Sequence, residues 1–344
     1  MGWISSLFAA NPSRAVQSQR PAGSMPLEGD VRASAPHLLL LSKFMHGATA
    51  ESFAGDFWNL ALAEDSQEAI KRFRAGGLIE PASVVQKLGM TLGSKDTKEK
   101  ARNLGLKVSG TKAQVLERIT KELPETAALM VKDVQAWSCT ESGRALAVAY
   151  MDEIALARTQ AQAESMRLLR AGDFNAAAAL VKAFEFRQVF SRGLNVNWPN
   201  RDVGEWSAEL TLVAEARPAL LKGLSEDDMF ELGTAAAMGS LWGENRYEKW
   251  LPDDVCERVN QRSPLGVDTG ARMMEFAGRN QRDLARFKAM RIEYVTVLAA
   301  GEMSCETCRT LSGKRFKLAT APTLPHKDCT HPMGCRCLLQ PDIL

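Results

Sequence analysis

Tyrosine occurs three times in 344 residues, and aromatic residues together make up 7% of the chain. Ala, Leu, Glu, Lys, Arg, Met and Gln dominate instead. These residues lose little freedom in a helix, so a mainly α protein is expected. An excess of charge of one sign is also missing. Lys and Arg number 43 against 41 Asp and Glu, a formal net charge of +2. No global field therefore draws the chain to nucleic acid or to a membrane, and any such signal has to be local. Long apolar runs are lacking too: the leucine run Leu38–Leu41 stops at four, against the roughly 20 residues of a bilayer span. No membrane partner is expected. No basic segment leads into an apolar signal core, and seven cysteines is an odd count for a disulfide framework. Both point to a cytoplasmic setting.

Recognisable catalytic constellations are absent as well. The chain has no His-Glu-x-x-His, no Gly-x-x-x-x-Gly-Lys-Ser/Thr and no Gly-x-Ser-x-Gly, and neither half of the zinc deaminase pattern. A non-enzymatic role is expected. A zinc-dependent hydrolase or nuclease would require an open metal position, with His326, Asp328 or His331 serving a bound water.

What the chain does have is concentrated in Ala300–Leu344. Five of the seven cysteines lie there, Cys305, Cys308, Cys329, Cys335 and Cys337, with two of the four histidines, His326 and His331. Two sulfurs in a Cys-x-x-Cys turn can reach one tetrahedral ion, and the excursion to Cys329 lets a second loop close the site. The segment is too short and polar to bury a core of its own, so an ion would supply the missing free energy. One structural zinc ion is expected, with Cys305 and Cys308 as the first ligand pair. The second pair comes from Cys329, Cys335, Cys337, His326 and His331. A redox role is disfavoured because Thr-Leu-Ser-Gly-Lys, a turn, follows the Cys-x-x-Cys, and no βαβ pattern precedes it.

These residues carry a resemblance. The run Cys305-Glu-Thr-Cys-Arg-Thr-Leu-Ser-Gly-Lys-Arg-Phe316, then Leu324-Pro-His-Lys-Asp-Cys329 and Gly334-Cys-Arg-Cys337, resembles the C-terminal motif of phage Mu F-like minor head, or head-morphogenesis, proteins. The match covers roughly residues 294–340, and this chain inserts Thr-His-Pro-Met-Gly before its Cys-Arg-Cys. The resemblance implies a phage or prophage head protein, with head or portal proteins as partners and the virion as its location.

A second resemblance lies in residues 91–124. The run Leu104-Gly-Leu-Lys-Val-Ser-Gly-Thr-Lys-Ala-Gln-Val-Leu-Glu-Arg-Ile119 is similar to the core of a SAP domain, a helix–extended–helix module that binds DNA. Where that family carries leucines in its first helix, this chain has Thr97 and Ala101. Between Leu92 and Pro124, Lys95, Lys98, Lys100, Arg102, Lys107, Lys112, Arg118 and Lys121 face Asp96, Glu99, Glu117 and Glu122, a net of +4. Ser109 is placed to cap the second helix, whose free N–H groups, beside Thr111 and Lys112, would form a phosphate-sized anion site. Lys98, Lys107, Ser109, Gly110, Thr111 and Lys112 are the candidate DNA contacts. Contacts of this kind hold the phosphate backbone without reading bases.

The remaining chain reads as helices with turns between them. Residues 1–35 are a Pro/Ser/Gly-rich tail expected to be disordered, and Met1-Gly2 with Ser6 matches the myristoylation pattern. Residues 36–90 form short helices, with Ser66 capping one and Pro81 opening another. Residues 125–292 form a helical body. Leu146, Val148, Met151, Ile154, Met166 and Leu169 recur at near-heptad spacing within it, Asn175 caps a helix through Phe190, and Ser225 with Asp228 makes a capping box. A long helix over 268–291 bears Arg272, Arg279, Arg282, Arg286, Lys288 and Arg291. Residues 293–344 close the chain as the cysteine–histidine module, in which Glu293–Leu298 is a strand partnered by Arg315–Leu318 and Cys337–Gln340. The expectation is therefore a helical multi-domain protein with a SAP-like module and a small zinc-stabilised β unit. Its expected function is DNA binding; a head-morphogenesis role is the alternative.

Overall fold

The computed structural model describes residues 34–192 and 196–342; the tail and the myristoylation pattern lie outside them, apart from Ser34 and Ala35. Helix accounts for 61% of the described residues, as the residue usage leads one to expect. The described residues pack as two compact units, one reaching to Leu156 together with Arg187–Ser191, the other Ala157–Phe186 with the chain from Arg192 onward.

The first unit opens with α1 (Ala35–Ser42), α2 (Asp56–Leu62) and α3 (Ser66–Ala75). They enclose Leu40, Leu41, Phe44, Leu62, Ile70 and Phe73, all buried. The cap of α3 is Asp65, not Ser66: the Asp65 carboxylate accepts the Gln67 N–H at 2.7 Å, while the buried Ser66 hydroxyl donates to the Phe53 carbonyl. A two-stranded sheet follows that the run of short helices did not anticipate. It pairs β1 (Ile79–Pro81) antiparallel with β2 (Trp137–Cys139), and Pro81 faces Trp137 instead of opening a helix. Three-residue strands carry too little alternation to be recognised by pattern. Cys139 is a buried member of the same core.

Between these strands lie α4 (Val84–Thr91), α5 (Ser94–Asn103), α6 (Lys112–Glu122) and α7 (Pro124–Met130). Ser83 and Gln86 make the capping box of α4. Leu88, Ala101, Val115, Leu116, Ile119, Ala127 and Val131 form a separate core among these helices. The helix–extended–helix stretch thus packs with α4 and α7 as well as on itself. Small Thr97 and Ala101, fully buried, replace bulk on α5, and Leu88 of α4 contributes to the core they line.

The helix α8 (Glu141–Arg170) carries the chain from one unit into the other. In its first half Gly143, Ala147 and Tyr150 are buried, whereas Val148 and Met151 are exposed. Of the near-heptad stripe, Leu146 packs against the core of the first unit and Leu169, with Met166, joins a core of the second, while Val148 and Met151 fall off the buried face. A Cβ at Gly143 would come within 1.9 Å of the Leu78 carbonyl oxygen, so only glycine allows this approach.

The second unit continues with α9 (Phe174–Phe186), α10 (Val203–Ala214), α11 (Glu226–Trp242), α12 (Asp253–Arg262) and α13 (Gly266–Ala289). The cap of α9 is Asp173, whose carboxylate accepts the Ala176 N–H at 2.9 Å, and not Asn175. The helix ends at Phe186, before the expected Phe190. Ser225 caps α11 as expected, accepting the Asp228 N–H. Asp228 is fully buried and ion-paired to Arg258 at 2.8 Å and Arg262 at 3.2 Å, which ties α11 to α12. Trp206, Leu210, Met238, Leu241 and Trp242 build one core, and Leu232, Met274, Val259 and Tyr247 another. The basic face of α13 is partly neutralised within the fold: Arg282 meets Glu209 and Asp283, and Arg279 meets Glu275.

After α13 come β3 (Tyr294–Leu298), α14 (Glu306–Leu311), β4 (Arg315–Lys317) and β5 (Leu338–Pro341). The sheet order is β4-β3-β5, all antiparallel, with Val295 opposite Phe316 and Val297 opposite Leu339. The strand and both expected partners are in place. This small sheet does not stand on its own core, because Met273 and Phe287 of α13 pack among Val295, Val297, Leu324 and the cysteines.

Candidate functional site

Local structure brings the C-terminal cysteines together from three directions. Cys305 is the residue before α14, and Cys308 lies in its first turn. The turn Leu311–Lys314 returns the chain to β3: Gly313, at φ +76°, donates its N–H to the Val297 carbonyl at 2.8 Å. Cys329 sits in the loop after β4, and Cys335 and Cys337 immediately precede β5. Pairing of β5 with β3 therefore delivers the Cys-Arg-Cys segment to the side of the Cys-x-x-Cys turn.

The Cys305 and Cys329 sulfurs are 3.7 Å apart, and those of Cys308 and Cys335 are 3.9 Å apart. A tetrahedral ion with metal–sulfur bonds of about 2.3 Å places its sulfurs about 3.8 Å from one another. The five cysteines are all free thiols. They form two groups of three, Cys305 with Cys308 and Cys329, and Cys308 with Cys335 and Cys337. Within each group the sulfurs all lie within 4.8 Å of one another. This cluster can hold a metal ion.

Main-chain donors surround the sulfurs. The N–H groups of Cys308 and Thr330 point at Cys305, that of His331 at Cys329, and those of His326 and Cys337 at Cys335. Burial pushes the Cys305 thiol up, but these donors and the neighbouring thiols outweigh it and bring it down to about 7. Burial raises Cys308 and Cys329. The Cys337 thiol donates to the Cys335 sulfur, which lowers Cys335 and raises Cys337. The donors thus favour thiolate, the form a metal binds, at Cys305 and Cys335, while Cys308, Cys329 and Cys337 are pushed the other way.

The two histidines stand at this site through their amides. The His326 ring accepts the Asp328 N–H at 3.3 Å and the His331 ring accepts the Met333 N–H at 3.0 Å, and neither imidazole joins a group of three. Of seven candidate ligands the fold thus gathers the five cysteines. Met273 is a contributor that no local pattern marked. Its sulfur accepts the Cys335 N–H at 3.2 Å, and a Cβ at Gly334 would come within 2.5 Å of that sulfur. It lies 62 positions away in sequence, and only packing of α13 brings it there.

The DNA-contact candidates divide differently. Lys98, Lys107, Ser109, Gly110 and Thr111 are exposed. The cap of α6 is Thr111, not Ser109. Its hydroxyl accepts the Gln114 N–H, and the Gln114 side chain accepts the Thr111 N–H at 2.8 Å, completing a capping box. The Ser109 carbonyl accepts from Arg118. Gly110 has φ +109°, a region favouring glycine, and a Cβ there would meet Gln114 Oε1 at 2.6 Å. Lys112 is half-buried, and its ammonium donates to the Gly89 carbonyl at 2.6 Å, at the C-terminal turn of α4. Lys112 is therefore committed within the fold.

Together these observations define a helical protein with a cluster of five cysteines, able to hold a metal ion, beside a C-terminal three-stranded sheet. No helix among the described residues is long and apolar enough to cross a membrane. Comparison with family models, with curated proteins and with solved structures produced no match.

Proposed function

We propose that this chain is a non-enzymatic DNA-associating protein whose C-terminal module is held by one structural zinc ion. The sulfur geometry supports the metal half of this reading. Thiolates from separate segments converge at tetrahedral spacing, and a thiolate-rich donor set suits a closed zinc site. Cys305, Cys308 and Cys329 form the first group, and Cys335, 3.9 Å from Cys308 but outside that group's mutual spacing of 4.8 Å, would move in as the fourth ligand when the ion binds. Zinc would link the turn before α14 to the segment entering β5, in a module with few apolar residues of its own.

The DNA half rests on the first turn of α6. The Ser109-Gly110-Thr111 loop is open to solvent with Lys98 and Lys107 exposed in the same module, a combination suited to phosphate oxygens. Lys112 belongs to the fold and not to this surface. The test is a salt titration with unrelated duplexes, using the full chain and a Lys98→Ala/Lys107→Ala variant. Each lost phosphate contact should reduce the slope of log affinity against log salt by roughly 0.9. Curves that coincide for the two proteins, or no binding at low salt, would rule out this surface as a DNA contact.

A head-assembly role is the second reading, favoured by one observation. The segments of the Mu F-like motif, its Cys-x-x-Cys, its glycine turn and its Cys-Arg-Cys, meet in one place. Specific capture of a portal protein by the full chain, lost on zinc removal, would select this reading.

A further inference from the structure

The five thiols exceed what one tetrahedral ion takes, and their arrangement says where the surplus lies. Each group of three has mutually close sulfurs, neither group takes in a fourth at the same limit, and Cys308 belongs to both. One ion bound by Cys305, Cys308, Cys329 and Cys335 leaves Cys337 beside Cys308 and Cys335. Cys335 is 1% exposed and Cys337 9%, so the remaining thiol is enclosed with the cluster and not displayed to solvent.

From this geometry we infer a second metal position, built from Cys308, Cys335 and Cys337, that takes a soft, thiophilic cation and shares Cys308 and Cys335 with the first as bridging thiolates. The inference rests on the zinc reading above, since the second ion binds beside the first. Charge favours it. A divalent ion in four thiolates is a dianion, costly to enclose. A second divalent ion with the fifth thiolate makes the whole cluster a monoanion. Binding breaks the Cys337 S–H bond and forms metal–sulfur bonds; the proton leaves to solvent and no electrons are transferred. Softness of the donors selects the cation class, because thiolate triads without imidazole or carboxylate prefer thiophilic ions over magnesium or calcium.

The test uses the full-length chain, reduced, stripped of metal and titrated anaerobically with cadmium alone. Thiolate-to-cadmium charge-transfer absorbance reports binding, and native mass spectrometry counts the ions. Wild type should take up two cadmium ions in succession, the first more tightly, and Cys337→Ser should stop at one. Saturation of wild type at one ion, or a second ion retained by Cys337→Ser, would overturn the second position and leave the single-ion staple standing. The wild-type count decides the matter even if the variant folds poorly. Absence of any charge-transfer band in wild type would instead remove the staple itself, and the second position with it.

Discussion

Asp228→Ala offers a direct measure of what holds the helical body of the second unit together. The carboxylate is fully buried and accepts from Arg258 at 2.8 Å, from Arg262 at 3.2 Å and from the Ser225 hydroxyl at 2.8 Å. Removing one partner of a buried pair costs about 3–5 kcal/mol when the other charge stays stranded. Here the two guanidinium groups are 40% and 49% exposed and regain water. The loss should therefore fall at the low end, about 3 kcal/mol. At about 2–4 °C per kcal/mol for a unit of this size, the melting temperature should drop by about 6–12 °C. Thermal melts followed by circular dichroism at neutral pH give the number. A pH series adds an independent check. Burial alone would raise the Asp228 pKa, but Arg258 and Ser225 outweigh it, so the folded value lies below the ordinary one. A depressed carboxylate contributes its stability above the unfolded pKa of about 3.9 and loses it as pH falls through the folded value. The gap between wild type and Asp228→Ala should be constant at neutral pH and close under acid. A loss below about 1 kcal/mol, or a gap that widens on acidification, would refute this account of the α11–α12 connection.

Gly278→Ala should destabilise the same unit by about 1–3 kcal/mol in a denaturant titration. The new Cβ would meet the Val213 backbone at 2.7–2.8 Å, and backbone cannot rotate out of the way. Lys112→Met should cost about 1–2 kcal/mol by leaving the Gly89 carbonyl without its charged donor; an unchanged denaturation midpoint would show that the bond is dispensable. Thr111→Ala should cost about 1 kcal/mol through loss of the α6 cap, read the same way. The purified protein should carry about one zinc per chain, lost in a Cys305→Ser/Cys308→Ser double variant. Chelation should raise hydrogen exchange chiefly after Glu293, because the helical body has its own cores. Uniform exchange throughout the second unit would contradict a local staple.

Much of the architecture follows from local chemistry and was readable in the chain. Helix formers dominate the composition, β-branched Val295, Thr296 and Val297 mark the central strand of the C-terminal sheet, and the Ser225 cap behaves as its motif suggests. Spacing alone also marked Cys305 and Cys308 as a pair able to share an ion, because two residues in a tight turn determine that distance. Other choices required the third dimension. Caps went to Asp65, Asp173 and Thr111 over nearby Ser66, Asn175 and Ser109; burial turns the Ser66 hydroxyl to the Phe53 carbonyl, and Arg118 holds the Ser109 carbonyl ahead of the α6 cap. Lys112 reads as a phosphate contact in one dimension and becomes a helix tie once α4 lies beside it. The cluster itself shows the division most clearly. Pattern proposes seven sulfur and imidazole ligands, but strand pairing of β5 with β3 and the packing of Met273 orient five sulfurs inward and engage both histidine rings with nearby amides. Residue order limits which groups can meet; long-range packing decides which of them do, because a ligand's direction depends on backbone held by residues far away in the chain.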